Sequence, residues 1–509
     1  MDIEKVFTRL QNGNDVRGAA IATEKEELTL TPAIASFIAA GFAGYLSRKT
    51  GKPKEELRIG IGHDSRLTAE AMQKGCIAGL AGTQVFCCGL VSTPAMFQST
   101  VYEESDFDGS LMITASHLPF NRNGIKFFTR EGGIGHDELT GILEEAIALA
   151  KAFGPDYETR DVEKADTCCQ NFDLVSLYCS HMCAFIREQV AAEDHDHPLA
   201  GLHIVVDAGN GAAGFFASGI LEVLGADTSG SVYLDPDGTF PNHIPNPENR
   251  DAMNAVRAAV LSAGADLGVI FDCDGDRGAV VFADGREINR NTLIALLAAI
   301  VRQTSPGSVV VTDSCTSDEL RSFLEERLGM RHLRFKRGYK NVINKGIELN
   351  AAGETCELAI ETSGHGAFRE NYFSDDGAYI GVKIIIELAK MRRQGKALED
   401  LLEGFSEPEE AIEVRLHITD PEFRSYGAKV LEEFSAFAAK DPRFHIVEPN
   451  YEGVRISFDD EEVQGWMLMR QSLHDPVLAM NIESRKAGGC AVIRERIRTF
   501  LEGFACLEA

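Results

Sequence analysis

Three stretches of the chain repeat one arrangement of apolar and polar positions. A short apolar run ends in an aspartate, and apolar positions at helical spacing follow. Leu57-Arg58-Ile59-Gly60-Ile61-Gly62-His63-Asp64 leads to a helical stretch over 68–80. Leu202-His203-Ile204-Val205-Val206-Asp207 leads through 208–211 into a helical run that ends at Leu224. Ser308-Val309-Val310-Val311-Thr312-Asp313 leads through Ser314 into a helix that ends at Leu328. A strand-length apolar run followed by helical periodicity predicts a β–α unit. Three such units predict three related α/β domains. Parallel sheets bind ligands outside the carboxyl ends of their strands, where these aspartates lie. Aspartate also caps helices, so Asp64, Asp207 and Asp313 have two readings, ligand edge or cap. The last segment differs: 414–418 and 454–458 read as strands and 421–440 as a helix, a smaller α+β domain. Linkers at 153–161, 288–291 and 404–410 divide the chain into domains at 1–160, 161–288, 289–406 and 407–509.

A length of 509 residues agrees with three or four domains of roughly 150 residues each. With 44% apolar and 25% charged residues, the composition is that of a globular protein. Fifty Lys and Arg against 78 Asp and Glu give a formal charge of −28, which disfavours nucleic acid and anionic membranes as partners. An anionic ligand must then be held at short range by local Arg and Lys, because charges beyond about 10 Å are largely screened. The first residues show no basic region ahead of an apolar core, and the most apolar stretches, 33–45 and 293–301, fall short of a membrane span. Twelve scattered cysteines with no CxxC spacing fit a reduced, cytoplasmic setting in which most thiols act as small core residues, Cys179 and Cys183 among them. His195-Asp196-His197-Pro198 lies in a polar loop without companion ligands, so it reads as surface rather than metal site.

Four loops are candidates for chemistry. In the first, an apolar strand delivers Thr114-Ala115-Ser116-His117 into a turn, and a second strand returns with Lys126. A serine at a strand end can carry a phosphoryl group, with His117 and Lys126 handling a proton or neutralising phosphate charge. In the second, the apolar strand 267–271 runs into Asp272-Cys273-Asp274-Gly275-Asp276-Arg277. Three carboxylates alternating within five residues repel one another unless a divalent cation joins them, and hard oxygen donors suit Mg²⁺. An EF-hand does not fit, since Arg277 and Ala283 stand where that motif needs glycine and glutamate. The third is Glu361-Thr362-Ser363-Gly364-His365, with Asp375-Asp376-Gly377 downstream, whose polar groups suit sugar hydroxyls. In the fourth, the strand 465–469 ends in Arg470-Gln471-Ser472, whose guanidinium and hydroxyl suit a phosphate.

In this order and at these separations the four loops resemble the α-D-phosphohexomutase family of phosphoglucomutases, phosphomannomutases and phosphoglucosamine mutases. Gly13-Asn14-Asp15-Val16-Arg17-Gly18 resembles the family's opening Gly-Thr-Asp-Gly-x-Arg-Gly. The resemblance covers nearly the whole chain. It implies an α/β fold of four domains around a central cleft, three of them related α/β units with mixed sheets and the fourth a smaller C-terminal α+β domain. It implies that phosphorylated Ser116 converts a glucose or mannose phosphate through a hexose 1,6-bisphosphate, which also serves as activator. By the same resemblance Mg²⁺ is held by Asp272, Asp274, Asp276 and the seryl phosphate, while Arg17, His117, Lys126 and Arg277 serve catalysis with Lys126 as general acid/base. Glu361, Ser363, His365, Arg337, Lys340, Arg470, Ser472 and His474 would bind substrate. A monomer or homodimer is expected.

The chain departs from the family pattern at Leu118, at Cys273, and at Leu473-His474-Asp475 in the phosphate loop. Leucine puts a side chain where backbone N–H groups would approach phosphate, and His474 restores a donor when charged. Three alternatives follow from individual features. Phe271 to Gly275 also suits a haloacid-dehalogenase-like phosphatase with Asp272 as nucleophile; the altered phosphate loop suits a non-catalytic sugar-phosphate binder; glucosamine phosphate is the alternative substrate.

Overall fold

The computed structural model describes residues 2–163, 169–472 and 475–508. Two compact units emerge: Met1–Ile288 with Ser363–Gly366 and Asn371–Ala397, and Asn289–Thr362 with Ala367–Glu370 and Leu398–Ala509.

The first unit is built on two mixed sheets. In the larger, Arg58–His63 runs parallel to both Gln84–Leu90 and Gly109–Ile113, and Arg122–Thr129 returns antiparallel to Gly109–Ile113. That return pairs Met112 with Lys126 and brings the lysine back beside the strand that delivers Ser116. The helix Pro32–Thr50 begins where Thr31 accepts from the Ile34 N–H, and Pro32 occupies its first turn. Its Phe37, Ile38, Phe42 and Leu46 are buried in the core of this sheet. In the smaller sheet Leu267–Phe271 lies parallel to Ile204–Asp207 and antiparallel to Gly278–Phe282. The helix Gly377–Arg393, distant in sequence, packs on this sheet and on the helix Leu174–Val190.

In the second unit Val309–Thr312 lies between Arg331–Arg334 and Cys356–Ile360, parallel to both. Its last part is a six-stranded antiparallel sheet that includes Glu410–Ile418, Val454–Phe458, Gly465–Gln471 and Val477–Ser484, with the helices Phe423–Ala438 and Gly489–Leu501 packed on it. The chain therefore holds three α/β domains and a further β-rich C-terminal domain. The strand predicted at 454–458 forms, and the helix predicted over 68–80 runs Ala69–Gly79.

Two predicted helices differ. The run towards Leu224 winds with wide i→i+5 turns over Phe216–Leu221, and the run towards Leu328 does the same over Phe323–Arg327. In the first, a Cβ on Gly219 would stand 2.8 Å from Cys179 Sγ, so this segment packs closely on the neighbouring helix. The cysteines also divide. Cys87 and Cys169 form a disulfide with Cα atoms 6.0 Å apart, whereas Cys179 and Cys183 are free and buried as expected. Among the described residues no helix is long and apolar enough to cross a membrane.

The single tryptophan, Trp466, is buried beneath the Arg455 guanidinium, 3.6 Å from its ring centroid, and donates to Glu483 at 2.9 Å. Burial, reinforced by Glu319, pushes the Glu483 carboxyl up to about 8, although Trp466 and Arg455 oppose the shift. Between its ordinary value of 4.5 and about 8, the folded chain keeps a proton that the unfolded chain has released, so stability falls as pH rises through that window. Glu483→Gln removes this dependence. Its stability relative to wild type should rise between pH 5.5 and 7.5 by at most about 1.4 kcal/mol per pH unit. Urea denaturation followed by Trp466 fluorescence at the two pH values measures this; an unchanged difference contradicts the assignment.

Candidate active site

Within the first unit the serine loop and the acidic loop meet. Ser116 is buried and donates from Oγ to Asp272 Oδ2 at 2.9 Å, and its Oγ lies 3.2 Å from His117 Nδ1. Its φ is +51°, a left-handed conformation that non-glycine residues rarely adopt. Lys126 reaches Asp274 at 3.0 Å and also pairs with Asp276. Arg277 donates its N–H to Asp272 Oδ1 at 3.2 Å, and its side chain faces Asp272 and Glu248. Arg17 is fixed by Asp15 at 2.8 Å and by the Thr114 carbonyl. Gly124 permits that approach, since a Cβ there would stand 2.8 Å from Arg17 Cδ and 2.2 Å from the Val16 carbonyl.

Asp272, Asp274 and Asp276 offer three oxygens within 4.8 Å of one another, all three residues buried. Asp274 Oδ1 and Asp276 Oδ1 are buried and accept no hydrogen bond among the described residues. Orphaned carboxylate oxygens converging in this way fit a hard divalent cation, and the all-oxygen set suits Mg²⁺. Burial, then Asp276 and Asp274, pushes Asp272 well up. Burial would raise Asp274 as well, but Lys126 and the Thr93 hydroxyl, 2.5 Å away, hold it low. Burial alone would lower Lys126, yet Asp274 and Asp276 raise it well above its ordinary value. Burial, helped by Arg277 and His365, depresses His117 to about 3, so it is neutral at physiological pH.

The sugar-loop residues divide. Ser363 and His365 belong to the first unit, and His365 Nδ1 lies 2.5 Å from Asp375 and 3.7 Å from Asp276. Burial would lower the His365 pKa, but Asp375 raises it. Glu361 belongs to the second unit, where its Oε1 accepts from the Gly338 N–H at 2.6 Å. Beside it, Arg337 donates its N–H to Glu452 at 3.0 Å and directs Nη1 towards Cys315 Sγ at 3.9 Å. Burial, then Asp313, raises the Cys315 thiol while Arg337 and Arg470 oppose the rise. Arg470 is buried with Nε lacking a hydrogen-bond partner among the described residues. Lys340 lies on the helix Tyr339–Ala351, and the N–H of Ser472 donates to the Val477 carbonyl at 2.8 Å. Leu473 and His474 lie outside the described residues.

Asp64, Asp207 and Asp313 have a use that neither of their two readings covers: they fasten loops. Asp64 accepts from Thr114 at 2.6 Å, Asp207 lies 3.0 Å from His243, and Asp313 accepts from the Thr362 N–H and hydroxyl, each at 2.7 Å. The side-chain caps of the helices that follow Asp64 and Asp313 do not come from them; Ser317, for example, caps Asp318–Ser322. Thr93, Glu248 and Arg66, which no motif marked, contact the predicted residues Asp274, Arg277 and Ser116.

The phosphoglucomutase/phosphomannomutase α/β/α domains I, II and III match residues 8–152, 178–285 and 289–407. A phosphoglucomutase of Neisseria gonorrhoeae is 29% identical over 468 residues, 91% of this chain and 93% of that one. A phosphomannomutase of Salmonella typhimurium is 29% identical over 478 residues, 92% and 94% of the two chains. The crystal structure of a phosphoglucomutase/phosphomannomutase family protein from Burkholderia thailandensis superposes with a TM-score of 0.77 at 26% identity, covering 99% of this chain and 98% of that one. The chain belongs to the phosphoglucomutase/phosphomannomutase family, the α-D-phosphohexomutases. It is a phosphohexomutase, an isomerase of carbohydrate metabolism. Membership removes the grounds for the phosphatase alternative.

Replacing one of three converging ligands should show in metal affinity. Asp274→Asn should weaken Mg²⁺ binding about ten-fold or more, read by isothermal titration calorimetry. Unchanged affinity contradicts the three-carboxylate site.

Proposed function

We propose that the chain interconverts the 1- and 6-phosphates of glucose or mannose through phosphorylated Ser116 and a hexose 1,6-bisphosphate. The observation that carries this reading is Ser116 itself, buried, in a left-handed backbone, and 2.9 Å from the first of three clustered carboxylates. Relatives named for each of the two activities support both substrates. In the forward half-reaction the bond between phosphorus and Ser116 Oγ breaks, and a bond forms to the free sugar hydroxyl. The sugar hydroxyl gives its proton to a base, and the departing Ser116 Oγ takes up one proton from an acid to become the hydroxyl, so the proton count is unchanged. The reverse transfer from the other end of the bisphosphate restores phosphoserine.

Asp272, Asp274 and Asp276, with the seryl phosphate, would hold Mg²⁺, which supplies charge neutralisation at the transferring group. Lys126, ion-paired to two aspartates, is a stable positive charge in the unliganded site. With a further cation on those carboxylates the attraction that raises its pKa would be shared, which would suit Lys126 to carry a proton. Neutral His117 serves as a hydrogen-bond partner of Ser116 Oγ rather than as a cation. Arg17 and Arg277 supply permanent charge. In the second unit Glu361 is the residue proposed for sugar hydroxyls, while Arg337, Arg470 and Ser472 bind the non-reacting phosphate. Charge-assisted hydrogen bonds to that phosphate are worth roughly 1.5–3 kcal/mol each.

Ser116→Ala should fold yet lose activity by several orders of magnitude in a coupled assay with glucose 1-phosphate and mannose 1-phosphate. A variant that keeps a tenth of wild-type turnover sinks the assignment. EDTA should abolish activity and Mg²⁺ restore it. Arg470→Ala should raise KM about ten-fold or more, the loss of one charge-assisted contact; an unchanged KM for every hexose phosphate removes Arg470 from the phosphate site.

A further inference from the structure

We infer that Arg66, held by Asp64, is a positioning residue that locks Ser116 in its reactive conformation. The inference rests on the reading of Ser116 as the phosphoryl carrier. The turn between the strands Gly109–Ile113 and Arg122–Thr129 is irregular, and one side chain gathers it. Arg66 Nη2 donates to the carbonyls of Ser116 at 2.5 Å and Leu118 at 2.6 Å. Its Nη1 donates to the carbonyls of Pro119 and Arg122, each at 2.8 Å. Four carbonyls from seven successive residues thus converge on one guanidinium, which only a rigid, planar fork of N–H donors can serve at once.

Asp64 completes the clamp. Its Oδ2 lies 3.3 Å from Arg66 Nε and accepts from the Thr114 hydroxyl at 2.6 Å, while that hydroxyl accepts from the Ser116 N–H at 2.8 Å. Ser116 is therefore gripped at its N–H, through Thr114 and Asp64, and at its C=O, by Arg66. Two grips on one residue restrain both its dihedrals, and the residue so held has the φ of +51°. The side chains of Arg66 and Asp64 are both fully buried, and the Phe240 ring lies 5.4 Å from the guanidinium. Substrate therefore cannot be what they bind. The Cys273 thiol lies 3.3 Å from the same Asp64 oxygen, so the carboxylate that steadies the serine loop also touches the acidic loop between two of its aspartates.

A group that aims the nucleophile should act on turnover and not on affinity. The test is steady-state kinetics of Arg66→Lys and Arg66→Ala with glucose 1-phosphate or mannose 1-phosphate, whichever wild type turns over faster, alongside thermal denaturation. We expect kcat to fall about 100-fold in both, with KM and Mg²⁺ affinity within roughly three-fold of wild type. Added guanidinium should return about ten-fold of the lost kcat to Arg66→Ala and nothing to Ser116→Ala. A folded Arg66→Lys with near-wild-type kcat, or a loss of kcat matched by an equal rise in KM, overturns the inference. Should Arg66→Ala fail to fold, Arg66→Lys and Asp64→Asn decide it, the second losing about ten-fold in kcat if the clamp is real. Incubation with ³²P-labelled glucose 1,6-bisphosphate separates this inference from the reading beneath it. Label retained on Ser116→Ala overturns the phosphoserine reading itself. Label on Arg66→Lys that passes to substrate at the wild-type rate overturns only the role of Arg66.

Discussion

Asp272, Asp274, Asp276, Lys126 and Arg277 share a volume from which solvent is almost excluded, and charge in such a place must be balanced by other charge. Three carboxylates against two cations leave one formal negative charge in excess, and burial beside Asp276 and Asp274 pushes the Asp272 pKa up. A divalent cation and a dianionic phosphate, added together, leave that excess unchanged. Either one alone shifts it by two. A dianionic phosphate alone would bring three negative charges together in that volume, so a divalent cation on the carboxylates is what would let a phosphoryl group stay there. The neighbouring features serve this balance: Thr93 and Lys126 keep Asp274 ionised, Asp15 fixes Arg17, and the strand pairing of Met112 with Lys126 carries the lysine to the carboxylates.

What was legible in the sequence was what lies contiguous in it. Asp272 to Arg277 announce themselves because three like charges behind an apolar strand have few uses, and Ser116 because its strand and Lys126 flank it so closely. The α/β units were legible for the same reason, since a strand and its following helix are local. Partners drawn from distant segments were not. Thr93 is an ordinary helix-start threonine until Asp274 is placed 2.5 Å from it, and Arg66 sits among polar neighbours with nothing in its surroundings to distinguish it from a surface arginine. Asp64 was legible only in part: one oxygen accepts from the Arg66 N–H in a local turn, while the other reaches Thr114, a contact that no local pattern marks. The wide turns at Phe216–Leu221 were invisible because the spacing of apolar positions does not separate them from regular α-helical turns.

The course of the chain between the two units has a consequence for how the protein is made. The first unit is not a contiguous segment: it includes Ser363–Gly366 and Asn371–Ala397 as well as the first 288 residues. His365 and the helix Gly377–Arg393, which complete it, leave the ribosome only after most of the chain has been synthesised. Domains ordinarily fold in the order in which they emerge. Here the smaller sheet, with its buried acidic loop, must wait for a helix encoded roughly a hundred residues later. Until then the apolar face that this helix covers is exposed to solvent. The nascent protein thus passes through an interval in which the smaller sheet is translated but uncovered, with apolar surface exposed of the kind that favours misassembly.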